Sequence, residues 1–148
     1  MSMPNDVQAF NRAIIEEFRT RNGQITHEML KDTPLVLLTT TGARSGRART
    51  APLAFFADGP GRIVLWASAM AAPVHPAWYH NLVADPRVTI ELKTEDGVVK
   101  TFEGTASTAR GAERERLFGI LEAGNPGVAA HQSRTDREIP LVVIEYGG

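Results

Sequence analysis

Residues 39–53 read Thr-Thr-Thr-Gly-Ala-Arg-Ser-Gly-Arg-Ala-Arg-Thr-Ala-Pro-Leu. Two glycines, a serine and three arginines (Arg44, Arg47, Arg49) are set there between two strand candidates. Glycine lets a backbone approach a ligand and expose its N–H groups. Arginine offers planar, paired donors that match phosphate or carboxylate oxygens. The stretch reads as an anion-binding loop or, equally, as a hairpin whose arginines stand in water as most surface charges do. It is not a P-loop: no Gly-Lys-Ser/Thr follows, and the next element is a strand rather than a helix.

A second group runs from Ala67 to Asn81 (Ala-Ser-Ala-Met-Ala-Ala-Pro-Val-His-Pro-Ala-Trp-Tyr-His-Asn). Its small side chains would let a flat ligand lie against the backbone, and the helix expected from Pro76 favours negative charge at its start. Trp78 and Asn81, three residues apart, share one face of that helix. Taken singly, Trp78 and Tyr79 are the kind of residue that fills a core. The histidines, His27, His75, His80 and His131, form no ligand pattern such as His-Glu-x-x-His, so no metal is expected. His131 lies in the polar stretch 129–137, where solvent is expected to reach it and where it could exchange a proton near neutral pH, or do nothing special. Ser45 and Ser68 lack a Gly-x-Ser-x-Gly setting and a partnered base. Residues 110–116 (Arg-Gly-Ala-Glu-Arg-Glu-Arg) read as a solvated helix face with pairing four residues apart.

The elements that must position these groups follow from periodicity. Val7, Phe10, Ile14 and Phe18 predict an amphipathic N-terminal helix, with Asn5 and Gln8 as a capping box and Gly23 as a stop. Residues 35–41, 51–57 and 63–68 are strand candidates; 76–84 is a short helix ended by Asp85-Pro86. Residues 88–92 and 98–107 form a hairpin about an Asp-Gly pair. Residues 108–123 form a helix with Leu117, Ile120 and Leu121 on its apolar face. Residues 128–138 are weakly helical or irregular, and 141–146 is a final strand. Six strands joined mostly by turns suggest an α+β, mainly β fold built on an antiparallel barrel, not repeated βαβ units.

At 148 residues a single domain over 1–148 is expected, with 1–31 as N-terminal helix and connector. Sixteen basic residues against 17 acidic ones leave a net charge of −1, too little basic excess for a general nucleic-acid binder. The absence of cysteine excludes disulfides, thiolate catalysis and cysteine-held metals. No apolar run approaches the roughly 18–20 residues of a membrane span. The first residues do not read as a signal peptide, so a cytoplasmic protein is expected.

Taken together, the order Thr-Gly-x-Arg-Ser-Gly-x-x-Arg-x-x-Pro-Leu (41–53), Ala67-Ser68, Pro-x-Trp-Tyr-x-Asn-Leu (76–82) with Asp85-Pro86, and Thr-Asp-Arg-x-Ile-Pro-x-Val-Val (135–143) resembles the deazaflavin-dependent nitroreductase family over roughly residues 32–146. The resemblance implies a split β-barrel of about six mostly antiparallel strands with flanking helices, related to flavin-mononucleotide-binding oxidoreductases. It implies coenzyme F420, an 8-hydroxy-5-deazaflavin with a phosphate and a polyglutamate tail, more than flavin mononucleotide. By position, Arg44, Ser45, Gly46 and Arg49 would hold the phosphate and acidic tail, and Pro52 would shape the pocket. Ser68, Ala69 and Met70 would line the deazaflavin, and Ala77, Trp78 and Asn81 would close it from the helix. The reduced cofactor would pass hydride to activated enones, quinones or nitro compounds, with His131 the candidate proton donor. Two departures stand out. Relatives often carry Ser-Lys-Gly-Gly where this chain has Ser68-Ala69-Met70-Ala71, and nitroimidazole-active relatives have tyrosines where 127–134 has none. Alternatives are a non-catalytic binder of a deazaflavin, flavin or tetrapyrrole, and a flavin-mononucleotide enzyme on the same barrel. The expected partner is a small electrophile, and the chain acts as a monomer or homodimer.

Overall fold

The computed structural model describes residues 3–27, 33–67, 75–135 and 138–147. Three runs, Leu35–Leu38, Ile63–Leu65 and Leu141–Ile144, are apolar at every position instead of alternating, and each is buried throughout. A strand reads this way only if both of its faces are covered. That is the arrangement found: a barrel interior on one side and a helix on the other.

The elements are α1 (Met3–Thr20), β1 (Leu35–Thr41), β2 (Ala48–Ala54), β3 (Phe56–Ala57), β4 (Arg62–Trp66), α2 (Ala77–Ala84), β5 (Arg87–Lys93), β6 (Val99–Thr108), α3 (Gly111–Gly124), α4 (Pro126–Ala129) and β7 (Leu141–Tyr146), with a 3-10 turn over Ala130–Arg134. The sheet has seven strands in the order β2-β1-β5-β6-β7-β4-β3. Every neighbouring pair is antiparallel. Its edge strands, β2 and β3, are one stretch of chain bent at Phe55. The sheet therefore closes through a covalent corner rather than a hydrogen-bonded seam, which is a split barrel.

Val36, Leu38, Ile63, Leu65, Val88, Ile90, Leu92, Val142 and Ile144 fill the interior, capped by Leu82 of α2. Outside, α3 lays Leu117 and Leu121 on Val64, Leu141 and Val143. On another flank α1 lays Ile14 and Phe18 on Leu35 and Leu37. β5, by contrast, alternates buried and half-exposed residues because only its inner face is covered. Among the described residues no helix is long and apolar enough to cross a membrane.

Several expectations shift. The second strand candidate begins at Ala48 instead of Ala51, because Thr41 pairs with Ala48 and Thr40 with Arg49; Arg49 is thus a strand residue. Asn5 lies inside α1, which starts at Met3, so it is not an N-cap. Phe10 is 40% exposed, its ring edge-on to His27, and Ile120 is 42% exposed while Leu117 and Leu121 are buried. Nor is the face over 110–116 merely solvated. Arg116 donates two hydrogen bonds to Asp58, and Arg62 reaches Glu113. Arg114 donates to Gln132 Oε1 and to the Ile139 carbonyl.

Asp58, in the turn before β4, accepts from Arg116 and Arg62. Above all the Arg116 hydrogen bond, with Arg62 adding to it, holds its carboxyl down at about 2. A depressed carboxyl stabilises the fold fully above the unfolded value near 4, and that stabilisation disappears as pH falls towards 2. Asp58→Asn is expected to lose about 1–2 kcal/mol at pH 7 and to flatten the fall in stability between pH 4 and pH 2. Urea titrations at pH 7 and pH 3 read this directly; equal losses at both would rule it out.

Candidate active site

The β1–β2 connection, Gly42–Arg47, folds back on itself. Gly42 N–H donates to the Arg47 carbonyl (2.8 Å) and Gly46 N–H to the Gly42 carbonyl (2.9 Å). The Ser45 hydroxyl oxygen accepts from Arg47 N–H (3.1 Å). Gly46 has φ +70, where a side chain is strained. A Cβ on Gly42 would stand 2.6 Å from Ser45 Oγ and 3.2 Å from the Arg47 carbonyl oxygen. At Gly42 the glycine serves the loop's own closure, not the approach of a ligand.

α2 is tied to this loop from the other side. Asn81 is only 8% exposed. Its Oδ1 accepts from Ala43 N–H (2.9 Å), and its Nδ2 donates to Thr40 Oγ1 (3.1 Å). Tyr79 anchors the same helix through a hydroxyl contact with Thr108 (2.9 Å), and Trp78 packs half-buried against the barrel interior. A buried amide with both kinds of polar group engaged is a positioning device. Asn81 fixes the distance between α2 and the loop.

Between them lies a cleft of about 1060 Å³. Arg44, Ser45 and Arg49 line one side, and Ala77, Trp78 and Asn81 the other. The six were singled out in the sequence from stretches some thirty residues apart, and the fold brings them together. Several other arginines are paired with carboxylates, among them Arg19 with Glu91 and both Arg62 and Arg116 with Asp58, whereas Arg12, Arg110 and Arg134 have no carboxylate partner among the described residues. Among the described residues Arg44, Arg47 and Arg49 have no such partner. Two unneutralised guanidinium groups lining a cleft have the chemistry to receive an anion.

Other expected site residues are placed elsewhere. Gly46 is exposed in the turn and does not line the cleft. Pro52 pairs with Leu37 and does not line the cleft. Ser68, Ala69 and Met70 lie outside the described residues, as does the side chain of His131, whose backbone is in the 3-10 turn. The cleft also contains Asn11 of α1, which the sequence did not single out, and His80 of α2, which the sequence weighed only as a metal ligand. The signal for Asn11 was present: it stands three residues before Ile14 and seven before Phe18, on the buried stripe. His80 carried none, because its neighbours gave no reason to prefer it over Tyr79.

A split barrel whose open cleft carries unpaired guanidinium groups on one wall and an indole on the other offers a site suited to an anionic ligand with a flat ring. The sequence profile of the F420H(2)-dependent quinone reductase family matches residues 10–146, and the chain belongs to that family. An F420H(2)-dependent quinone reductase of Mycobacterium tuberculosis is 36% identical over 130 residues, 86% of this chain and 83% of that protein. A solved F420-H2 dependent reductase superposes with a TM-score of 0.65 at 36% identity, covering 76% of this chain and 94% of that one. A structure described as a domain-swapped dimer gives 0.67 at 34% identity, covering 90% and 96%. Membership supports the first of the readings left open by the sequence, an F420H2-dependent reductase. The family carries the quinone name rather than the nitroreductase one.

The residues present fit coenzyme F420. Unpaired Arg44 and Arg49 suit its phosphate and carboxylates, and the half-buried indole of Trp78 offers an apolar wall to its ring.

Proposed function

We propose that this enzyme reduces a quinone, and that the cleft between the Gly42–Arg47 loop and α2 is where it holds reduced F420. The observation that carries the reading is the pair of unneutralised guanidinium groups, Arg44 and Arg49, on the same cleft as Trp78. Arg44, Ser45 and Arg49 take the anionic part, with Gly46 giving the loop its left-handed turn. Ala77 and Trp78 bound the ring. Asn81 keeps the two walls in register, and Pro52 stiffens the strand. The family resemblance assigns Ser68, Ala69 and Met70 to the ring. Bound F420H2 supplies a hydride.

Two-electron reduction of a quinone also needs a proton at a carbonyl oxygen, and to this we assign His131. His131→Gln is expected to lower kcat by about 10²-fold, the scale of general acid catalysis. It should also remove the limb of the pH profile that falls near neutrality, while coenzyme affinity stays unchanged. Steady-state oxidation of F420H2 with a naphthoquinone and an activated enone, for the parent and the variant, tests both assignments. Binding of coenzyme without turnover of any quinone would end the acceptor assignment. An unaltered pH profile in His131→Gln would end that of the proton donor.

A further inference from the structure

Asn11 is a polar residue on the inward stripe of α1. Ile14 and Phe18, one and two turns further on, are buried against Leu35 and Leu37, with Ala54 of β2 packed beside them. This docking fixes the rotation of the helix and places Asn11 on the side of α1 that meets β2. It is half-buried, and it lines the cleft together with Arg49, Thr50 and Ala51. Its carboxamide has no hydrogen-bond partner among the described residues. Asn81, on the same cleft, spends its amide on Ala43 and Thr40. A half-buried carboxamide with unused donors and acceptor beside two unpaired guanidinium groups is placed to meet a ligand.

The strand register says which part of the ligand. Along β2, Leu53 packs into the barrel interior with Trp78, and Ala54 packs outward under α1. Arg49 and Ala51 share the face of Leu53, while Thr50 shares that of Ala54. All three line the cleft, so the cleft passes over β2 from the inner face to the outer one. No strand pairs with the far side of β2 among the described residues. Trp78 sits at the inner end of this path and Asn11 at the outer end.

We propose that Asn11 is a ligand-contacting residue contributed by α1, and that its carboxamide hydrogen-bonds the amide- and carboxylate-bearing tail of the coenzyme, not its ring. The inference rests on the reading that the cleft holds F420. A carboxamide can both donate to a carboxylate and pair with an amide, which a third arginine could not do. It also makes α1 part of the site, because the packing of Ile14 and Phe18 sets where Asn11 stands.

The test is fluorescence titration of F420 and of its tail-free form, lacking the glutamates, against the parent, Asn11→Leu, Asn11→Asp and the double variant Arg44→Ala/Arg49→Ala. Asn11→Asp is expected to weaken the tailed coenzyme by about 10-fold through like-charge repulsion, more at low salt, and the tail-free form by less than about 2-fold. Asn11→Leu is expected to weaken the tailed form by about 3-fold. Both replacements sit in a helix interior that tolerates them, and melting temperatures check this. Parent-like binding of tailed coenzyme by Asn11→Asp, with the arginine variant impaired, overturns the inference and leaves the cofactor assignment standing. Equal weakening of the tailed and tail-free forms overturns the tail assignment. Parent-like binding by all variants sinks the cleft assignment and this inference with it.

Discussion

Replacing Arg44 and Arg49 together with alanine is expected to weaken coenzyme F420 by about 100-fold, from two charge-assisted contacts each worth about 1.5 kcal/mol. The melting temperature should not move. Neither guanidinium holds the fold together, since neither has a carboxylate partner among the described residues, unlike Arg62 with Asp58 and Glu113. Affinity in the parent should fall as salt rises, because exposed charges are screened within about 10 Å at 0.1 M. In the double variant that dependence should be nearly flat. Lysine at both positions restores charge but not the planar paired donors, so it should recover affinity only in part. Isothermal titration at two salt concentrations measures all of this. A double variant that binds as the parent does would mean that the guanidinium groups face water and that the anion lies elsewhere.

Asn81→Leu is the second large effect, and it acts on fold and binding together. The substitution strands Ala43 N–H and the buried Thr40 hydroxyl, which now meet Oδ1 at 2.9 Å and Nδ2 at 3.1 Å. Leaving a buried polar group without its partner costs about 1–3 kcal/mol, so a loss of about 2 kcal/mol in urea titrations is expected. With the loop no longer pinned to α2, the two walls of the cleft lose their register, and coenzyme affinity should fall by about 10-fold. Asn81→Asp separates the two roles. A carboxylate oxygen still accepts from Ala43, and the Thr40 hydroxyl can turn to donate. Burial opposes ionisation, so stability should stay near the parent's below about pH 4 and fall as the carboxyl ionises at higher pH, where its negative charge on the cleft also weakens an anionic coenzyme. If Asn81→Leu lost stability and kept full affinity, the spacing of loop and helix would be irrelevant to binding.

The asymmetry between these residues shows where sequence reading stops. Arg44 and Asn81 were both assigned to the cofactor on the same grounds, their position in a motif. The geometry divides them: one has no partner and faces the cleft, the other is buried with both ends of its amide occupied. A motif records that a residue type stands at a position, and two different physical duties can require it there. Asn11 shows the reverse. It belongs to no motif, and only the docking of α1 through Ile14 and Phe18 brings it to the cleft.

From the sequence alone, what could be determined was local or compositional. The strand over Leu35–Thr41 and the terminal strand over Leu141–Tyr146 were legible to the residue, because β-branched and apolar runs bounded by glycine and proline specify extended chain without outside help. The short helix before Asp85-Pro86 and the basic loop were legible for the same reason, and the motif order carried the family. Tertiary structure alone decided the rest. Whether Phe55 merely interrupts a strand or turns the corner that closes the barrel depends on which partners β1 and β4 offer on either side. The periodicity of α1 admits either Phe10 or Asn11 one turn before Ile14, and the outer face of β1 decides for Asn11. Both are contests between distant surfaces for burial, and such contests are settled by what packs against what.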